Sequence, residues 1–171
     1  DFELPLGDDE LDAAKMAVVE ANGIVDGYVR AFAWRGSEMM AISAQHTTTH
    51  VAIAAWEWPS YFDPEVKMKG ITLDISDWKR PSPESAPVNA KAAGLYMICT
   101  LSKHAAEKKG FQDALMLDYR GYIAEATGAN VFFVDGEGTI HTPIADCFLD
   151  GITRRTVIAL AESMQIKVVQ R

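Results

Sequence analysis

The stretch Lys91-Ala92-Ala93-Gly94-Leu95-Tyr96 decides how the fold is interpreted, because it opens an apolar pattern with helical spacing over residues 94–109. It places an amine among small side chains and a phenol near the start of the predicted helix. Two later stretches carry complementary chemistry. Glu125 lies just before an apolar strand-like run, and Asp150-Gly151-Ile152-Thr153-Arg154 is a glycine turn that opens a second predicted helix, over residues 153–163. An amine, a carboxylate and a helix start therefore occur in one chain.

Each of these features also has an ordinary structural explanation. The small neighbours of Lys91 favour a desolvated, nucleophilic amine, whereas most lysines are surface charges. Tyr96 could equally be a core residue with its hydroxyl on a backbone carbonyl, and Glu125 an edge-strand glutamate that faces solvent. Gly151-Ile152-Thr153 could bind a phosphate through free backbone N–H groups, but glycine before a helix is common. Together the three features match what pyridoxal phosphate requires: an amine for its aldehyde, an acid for its ring nitrogen and a helix start for its phosphate.

Composition limits the classes of function. The chain has 171 residues, 49% of them hydrophobic and 23% charged, which is typical of a globular protein with a real core. Its net charge of -8 argues against nucleic acid or an anionic membrane as a partner. Cys99 and Cys147 are predicted to be buried thiols of a reducing compartment. The sequence has no leader pattern and no apolar run of membrane-spanning length, so we expect a cytoplasmic protein.

Other catalytic classes receive little support. The four histidines lack metal-ligand spacing, and no G-x-S-x-G motif is present. We therefore predict no metal site.

The first part of the chain predicts a small α/β domain. Asp8 and Asp9 suit the start of a helix that Gly23 ends in a left-handed conformation. Alternating residues predict strands over 28–34 and 51–56.

A third strand, over residues 71–76, precedes a proline-rich segment at 81–87. Ile71, Leu73 and Ile75 alternate along it and are expected on its buried face. The prolines forbid a helix or a central strand, which favours a domain boundary. The predicted organisation is a small α/β domain at residues 1–76, an interdomain linker at 77–90 and a larger cofactor-binding domain at 91–171. The larger domain is predicted to be rich in strands, at 114–118, 122–125, 130–134, 139–142 and 166–169.

Seven motifs, in order along nearly the whole chain, resemble the class IV aminotransferases of pyridoxal-phosphate fold type IV, most closely the branched-chain amino acid aminotransferases. The most specific part is the block 125–130 followed by Gly-Ile-Thr-Arg. The resemblance implies an α+β, two-domain fold that is incomplete here at both ends, because family members are longer. The motifs are Tyr28-Val29-Arg30, Trp58-Pro59-Ser60-Tyr61, Lys91-Ala92-Ala93-Gly94-Leu95-Tyr96, Leu117-Asp118, Gly121-Tyr122-Ile123-Ala124-Glu125, Gly128-Ala129-Asn130-Val131-Phe132 and Leu149-Asp150-Gly151-Ile152-Thr153-Arg154.

The resemblance implies roles for the cofactor-binding residues. Lys91 matches the lysine that forms the internal aldimine and later moves the substrate proton. Tyr96 matches the tyrosine on the cofactor's phenolic oxygen, and Glu125 matches the acid that keeps the pyridine nitrogen protonated. Gly151-Ile152-Thr153 matches the phosphate-binding turn.

It implies roles for four further residues in substrate binding. Tyr28 matches the residue for the α-carboxylate, and Arg30 the residue for the side-chain carboxylate of glutamate. Trp58 and Tyr61 match aromatic walls of the side-chain pocket. Strand alternation places Tyr28 and Arg30 on one face.

The implied activity is ping-pong transfer of an amino group between branched-chain L-amino acids and 2-oxoglutarate, as in branched-chain amino acid biosynthesis. Its partners would be small amino acids and 2-oxo acids, in a homodimer. Alternatives are a relative on the same fold, such as D-amino acid aminotransferase or aminodeoxychorismate lyase, and an inactive fragment of that fold.

The match departs from the family at two positions near the site. Leu95 stands where many members carry a polar residue, and Asp150 where proline is frequent. An acid beside a phosphate turn is unfavourable unless its side chain points away.

Overall fold

The structure, a computed structural model, describes residues 3–58 and 64–171. Contacts divide the chain into two compact units, residues 1–63 and 64–171. Within the described ranges, every helix is too short or too polar to traverse a lipid bilayer.

The first unit contains helix α1 (Asp8–Ala21) and strands β1 (Tyr28–Arg35) and β2 (Thr49–Trp56). The two strands pair antiparallel, with Tyr28 opposite Trp56 and Arg35 opposite Thr49, and α1 contacts β2. Alternating apolar residues therefore form the two predicted strands.

The start of α1 differs from the prediction. Gly7, not an aspartate, is the N-cap, and its N–H donates to the Glu10 carboxylate at 3.0 Å. Asp8 and Asp9 lie in the first turn, where the helix dipole favours negative charge. Gly23, at φ +62°, takes the predicted left-handed conformation after the helix.

The second unit begins with helix α2 (Pro64–Lys69) and contains two three-stranded sheets. In the first sheet, β3 (Leu73–Ile75) pairs parallel with β4 (Asp113–Leu117), which pairs antiparallel with β5 (Ile123–Ala126). Helix α3 (Tyr96–Lys108) contacts both β3 and β4.

The second sheet has the order β6-β7-β8. Strands β6 (Phe133–Val134) and β7 (Ile140–Thr142) form the predicted antiparallel hairpin, and β8 (Val168–Gln170) pairs parallel with β7. Helix α4 (Ile152–Ser163) connects β7 to β8, as parallel pairing requires.

The predicted buried face of β3 is wrong. Ile71, Leu73 and Ile75 are exposed, and α3 instead covers the other face, where the Ser76 and Ser102 hydroxyls lie 2.6 Å apart. β3 is a short edge strand with one partner, so the helix that packs on it decides which face is buried.

The segment predicted as an interdomain linker is anchored to the second unit. Arg80 donates its backbone N–H to the Leu117 carbonyl at 2.8 Å, and Val88 is buried. The division between the two units falls before β3 rather than after it, because β3 belongs to the second unit's sheet.

The core of the second unit includes Ala124, Cys147 and Phe148, which pack together, and the fully buried Met116 of β4. Cys99 and Cys147 are both free and buried, as predicted.

Candidate functional site

A cavity of about 610 Å³ lies in the second unit, where the turns before α3 and α4 meet strand β5. Its wall contains every residue predicted to bind the cofactor: Lys91, Tyr96, Glu125, Gly151, Ile152 and Thr153. Residues that are distant in sequence therefore meet at one site.

Lys91 and Tyr96 are positioned by the short turn Ala93–Leu95, a single 3-10 turn that leads into α3. The Lys91 Nζ atom lies 5.8 Å from the centre of the Tyr96 ring. The expectation of a desolvated Lys91 is wrong, because Lys91 is exposed and its neighbours Ala93 and Gly94 do not cover it. The amine is accessible to a ligand that enters the cavity.

Glu125 lies in β5, and its side chain is only 13% exposed. It is therefore not the solvent-facing glutamate that the sequence left as an alternative. Burial raises the pKa of Glu125 to about 7, although the positive charges of Arg80 and Lys91 act in the opposite direction. The carboxylate is thus a buried acid in a site that also holds two cations.

Arg80 is the cation that sequence reasoning missed. Its Nε atom lies 3.3 Å from Oε1 of Glu125, and the residue is 4% exposed. Its Nη1 donates to the Leu95 carbonyl at 3.4 Å and lies 3.5 Å from the Cys99 sulfur. The sequence shows Arg80 directly before Pro81, at the start of the proline-rich segment. Because such a segment favours an exposed linker, the sequence gives no reason to expect a buried cation there.

Asn130 connects Glu125 to the turn before α4. Its Nδ2 donates to Oε2 of Glu125 at 3.4 Å and to the Leu149 carbonyl at 3.1 Å. Asn130 belongs to the most specific of the sequence motifs, but the motif alone predicts no role for it.

Gly151 is the N-cap of α4, in an extended conformation, and its carbonyl accepts the Arg155 N–H at 3.0 Å. A Cβ atom at this position would overlap Oδ1 of Asn130, so an alanine here would require the Asn130 amide to move. Ile152 and Thr153 are exposed in the first helical turn. The first N–H groups of a helix lack intrahelical acceptors and favour an anion.

Asp150 points its carboxylate into an ion pair. Arg154 donates from Nη1 to Oδ1 of Asp150 at 2.6 Å, and its other nitrogens bond Thr142, Pro143 and Gln170. Arg154 is 2% exposed, so it is a buried cation although it lies in the first turn of α4. The acid that is unfavourable beside a phosphate turn is neutralised by a buried arginine.

The predicted substrate-binding residues belong to the first unit. The Tyr28 ring lies 5.2 Å from the Trp56 ring and 5.8 Å from the Trp58 ring, measured between centres. Arg30 follows on the same face of β1. Tyr61 lies outside the described residues. The substrate roles of all four predicted residues stay predictions.

A second cavity, of about 890 Å³, is larger but contains none of the predicted site residues. Asp118, Asp146 and Cys147 lie at its wall within metal-ligand distance of one another. Arg120 pairs with both carboxylates, at 2.7 Å and 2.9 Å, so we assign no cation there.

The chemistry of the smaller cavity fits pyridoxal phosphate. It combines an accessible amine, a phenol, a buried carboxylate and the N-terminus of a twelve-residue helix, α4. These are the groups that can bind an aldehyde, a phenolic oxygen, a pyridinium and a phosphate.

Comparison with known proteins gives a family match over the whole chain. The model of the family described as amino-transferase class IV matches residues 1–171. A probable branched-chain-amino-acid aminotransferase of Rickettsia conorii is 42% identical over 167 residues, which cover 98% of this chain and 56% of that protein. The branched-chain-amino-acid aminotransferase of Pseudomonas aeruginosa is 35% identical, with 99% of this chain and 55% of the relative covered.

Solved structures agree with these relatives. The branched-chain amino acid aminotransferase of T.th. with pyridoxamine 5'-phosphate has a TM-score of 0.92 and 36% identity, covering 98% of this chain and 55% of that one. The same enzyme has been solved with N-(5'-phosphopyridoxyl)-L-glutamate and with 4-methylvaleric acid. The chain spans about half the length of the relatives that it matches.

Proposed function

The chain belongs to the class IV aminotransferases, and on that premise we propose that the protein containing it is a pyridoxal-phosphate-dependent aminotransferase of branched-chain amino acids. The observation that carries the proposal is the cavity, which brings together Lys91, Tyr96, Glu125 and the turn at Gly151. Chemically suitable groups from separate parts of the sequence line one space.

In this proposal the cofactor supplies an electron sink, and the chain supplies position and protons. Lys91 would hold the cofactor through its aldehyde, and its amine, once displaced there by the substrate amine, would be free to move the proton at the substrate Cα. Glu125 would accept the ring N–H, and Tyr96 would donate to the phenolic oxygen. The N–H groups at the start of α4 would bind the phosphate.

The proposed reaction exchanges an amino group between a branched-chain L-amino acid and 2-oxoglutarate. The ligands of the T.th. enzyme support this, since one contains L-glutamate and another, 4-methylvaleric acid, has a branched aliphatic chain. Tyr28 and Arg30 would bind the two carboxylates, and Trp58 and Tyr61 would contact the aliphatic side chain. Relatives on the same fold that act on D-amino acids or aminodeoxychorismate are the competing possibilities.

Attachment of the cofactor is tested by mass. The protein containing this chain is mixed with pyridoxal phosphate, reduced with borohydride, digested and analysed by mass spectrometry. We expect one reduced cofactor on the peptide that contains Lys91, and its loss in Lys91→Ala. The matched control Lys108→Ala, at the exposed end of α3, should retain it. Attachment at another lysine, with Lys91 unmodified, would refute the assignment.

Substrate class is tested by absorbance of the loaded protein. L-Leucine, L-isoleucine, D-alanine and aminodeoxychorismate are added in turn, and the bound-cofactor band is followed. We expect the two branched L-amino acids to bleach it and 2-oxoglutarate to restore it. Bleaching only by D-alanine or aminodeoxychorismate would replace the proposal with the corresponding relative.

The proposal also includes a homodimer in the cytoplasm. Its support is the resemblance to the family and the charge and cysteine content of the sequence. Light scattering during size-exclusion chromatography gives the mass in solution, and a mass of one subunit would contradict the dimer.

A further inference from the structure

Arg80 is a buried cation outside the set of residues that the family resemblance assigned to the site. It is 4% exposed, and its Nε atom, which faces Oε1 of Glu125 at 3.3 Å, has no hydrogen-bond partner among the described atoms. Arg80 and Glu125 thus form a buried ion pair in which Nε makes no hydrogen bond within the described residues, and two buried charges are tolerated because each compensates the other.

The position of Arg80 is fixed from several sides. Its backbone N–H bonds the Leu117 carbonyl at 2.8 Å, in an isolated parallel bridge to Asp118. Its Nη1 bonds the Leu95 carbonyl at the start of α3, at 3.4 Å. The backbone of Arg80 is therefore anchored on β4, and its guanidinium contacts the turn before α3 as well as Glu125.

Glu125 is held on both carboxylate oxygens. Arg80 lies beside Oε1, and Asn130 donates to Oε2 at 3.4 Å. Among the described residues, the charged or titratable groups that interact with Glu125 are Arg80, Lys91 and Cys99. Arg80 is the buried cation of this group, because Lys91 is exposed.

Glu125 is subject to two opposing requirements in this site. A ring nitrogen is kept protonated by an anion, but burial favours the neutral acid. Lys91 is the residue that we propose would hold the cofactor through its aldehyde, so it would no longer be a free ammonium group beside Glu125. A second cation that stays in place would favour the ionised form of the acid.

We propose that Arg80 is a positioning residue that favours the anionic form of Glu125 and orients its Oε1 in the cavity. The inference rests on the proposed function in one respect, since that function assigns Glu125 to the cofactor ring nitrogen. The interaction between Arg80 and Glu125 can be measured without the cofactor, so its failure is distinguishable from failure of the proposed function.

The first experiment measures the pKa of Glu125 in the cofactor-free protein that contains this chain. Glutamate carboxyl groups are labelled with carbon-13, and the Glu125 resonance is assigned from Glu125→Gln. We expect the pKa of Glu125, about 7 in the wild-type protein, to be higher in Arg80→Met, because the opposing charge is lost. Arg80→Lys should raise it less, since an ammonium retains charge but not the guanidinium geometry.

The matched control is Arg120→Met, which removes a cation paired with Asp118 and Asp146 in the same unit. We expect the pKa of Glu125 to stay at about 7 in this variant. An unchanged pKa in Arg80→Met, or an equal rise in Arg120→Met, would overturn the proposal, because the effect would then be absent or merely structural.

A second measurement needs no variant at position 80 and decides the matter if Arg80→Met does not fold. The nitrogen-15 resonance of Arg80 Nε is followed with pH in the wild-type protein. We expect it to shift with the same midpoint as Glu125 and to stop titrating in Glu125→Gln. A resonance that is insensitive to Glu125 ionisation contradicts the pair.

A kinetic test separates positioning from cofactor loss in the loaded protein. We expect Arg80→Met to keep the borohydride-fixed cofactor on Lys91 but to lower kcat at least about tenfold at neutral pH, with KM changed much less. A variant that loses the cofactor and shows no change in the Glu125 titration would assign Arg80 to structure alone.

Discussion

At the residue scale, the electrostatics of the site depend on Glu125. Its side chain is largely buried, and burial raises its pKa to about 7 against the influence of Arg80 and Lys91. Burial of an acid is normally avoided unless partners compensate for lost hydration. Here the partners are Arg80, Lys91 and Asn130, which come from three different segments of the chain. Because these partners compensate only in part, the buried Glu125 is expected to lower the free energy of unfolding of the cofactor-free protein.

Glu125→Gln should change the pH dependence of stability. Between the ordinary glutamate pKa of 4.5 and the folded value of about 7, the folded chain binds more protons at Glu125 than the unfolded chain does. The wild-type free energy of unfolding, relative to Glu125→Gln, should therefore fall as pH rises, by about 3 kcal/mol at most. Urea unfolding of the cofactor-free protein measures this. Glu107→Gln, on the exposed face of α3, is the control, and a flat difference across the window contradicts the assignment.

Gly151→Ala tests the close approach of the turn to Asn130. The backbone conformation of Gly151 suits alanine, so the expected effect is purely steric. Displacement of the Asn130 amide should cost about 1–3 kcal/mol of unfolding free energy and weaken pyridoxal phosphate binding. Gly128→Ala, where an added methyl would meet open space, should be nearly neutral.

The steric argument has a second consequence. Asn130→Ala removes the obstructing amide, so the double variant should be less destabilised than the sum of the two single variants. Additive free energies would mean that Gly151 is required for another reason.

At the element scale, α4 is tied to the sheet by one buried side chain. Arg154 bonds Asp150 before the helix, Thr142 and Pro143 at the end of β7, and Gln170 on β8. The Arg154 side chain therefore connects the start of α4 to strands β7 and β8.

Arg154→Met should destabilise the protein by about 3–5 kcal/mol, because partners of a buried cation lose their compensation. The neighbouring Arg155 is exposed, so Arg155→Met should change the free energy of unfolding by no more than about 0.5 kcal/mol. Denaturant unfolding compares the two variants. Similar losses in both would show that the helix tolerates charge removal poorly at any position.

The elements differ in how well the sequence predicted them. Helix α3 and strands β1 and β2 follow from periodicity and from local stop signals, which depend on neighbouring residues. The buried face of β3 does not, because it depends on where α3 packs. The ion pair between Arg80 and Glu125 was missed for the same reason. The two residues meet because the Arg80 segment bridges the end of β4 in parallel while β5, which carries Glu125, pairs with β4 antiparallel. The sequence-based predictions failed for features that depend on contacts between segments distant in sequence.

At the scale of the whole molecule, the cofactor residues and the predicted substrate residues fall in different units. The cavity with Lys91 lies in the second unit, and Tyr28, Arg30 and Trp58 lie in the first. A complete transaminase would need both sets, so the substrate roles are tested by kinetics.

Arg30→Met should discriminate between the two half-reactions. If Arg30 binds the side-chain carboxylate of 2-oxoglutarate, its loss should lower kcat/KM for that substrate about tenfold to hundredfold and affect leucine much less. Arg35→Met, on the opposite face of β1, is the control. Steady-state kinetics of each substrate gives the comparison, and equal losses for both substrates would remove the proposed role.

The Asn130 amide touches the carboxylate of Glu125 at one end and the carbonyl of Leu149, beside the turn at Gly151, at the other. This one side chain thereby fixes the distance between Glu125, which is proposed to bind the cofactor ring, and the turn at Gly151, which is proposed to bind its phosphate. We expect this fixed distance to favour a vitamin B6 derivative of matching length. An analogue with one extra methylene between its ring and its phosphate should therefore bind more weakly than pyridoxal phosphate.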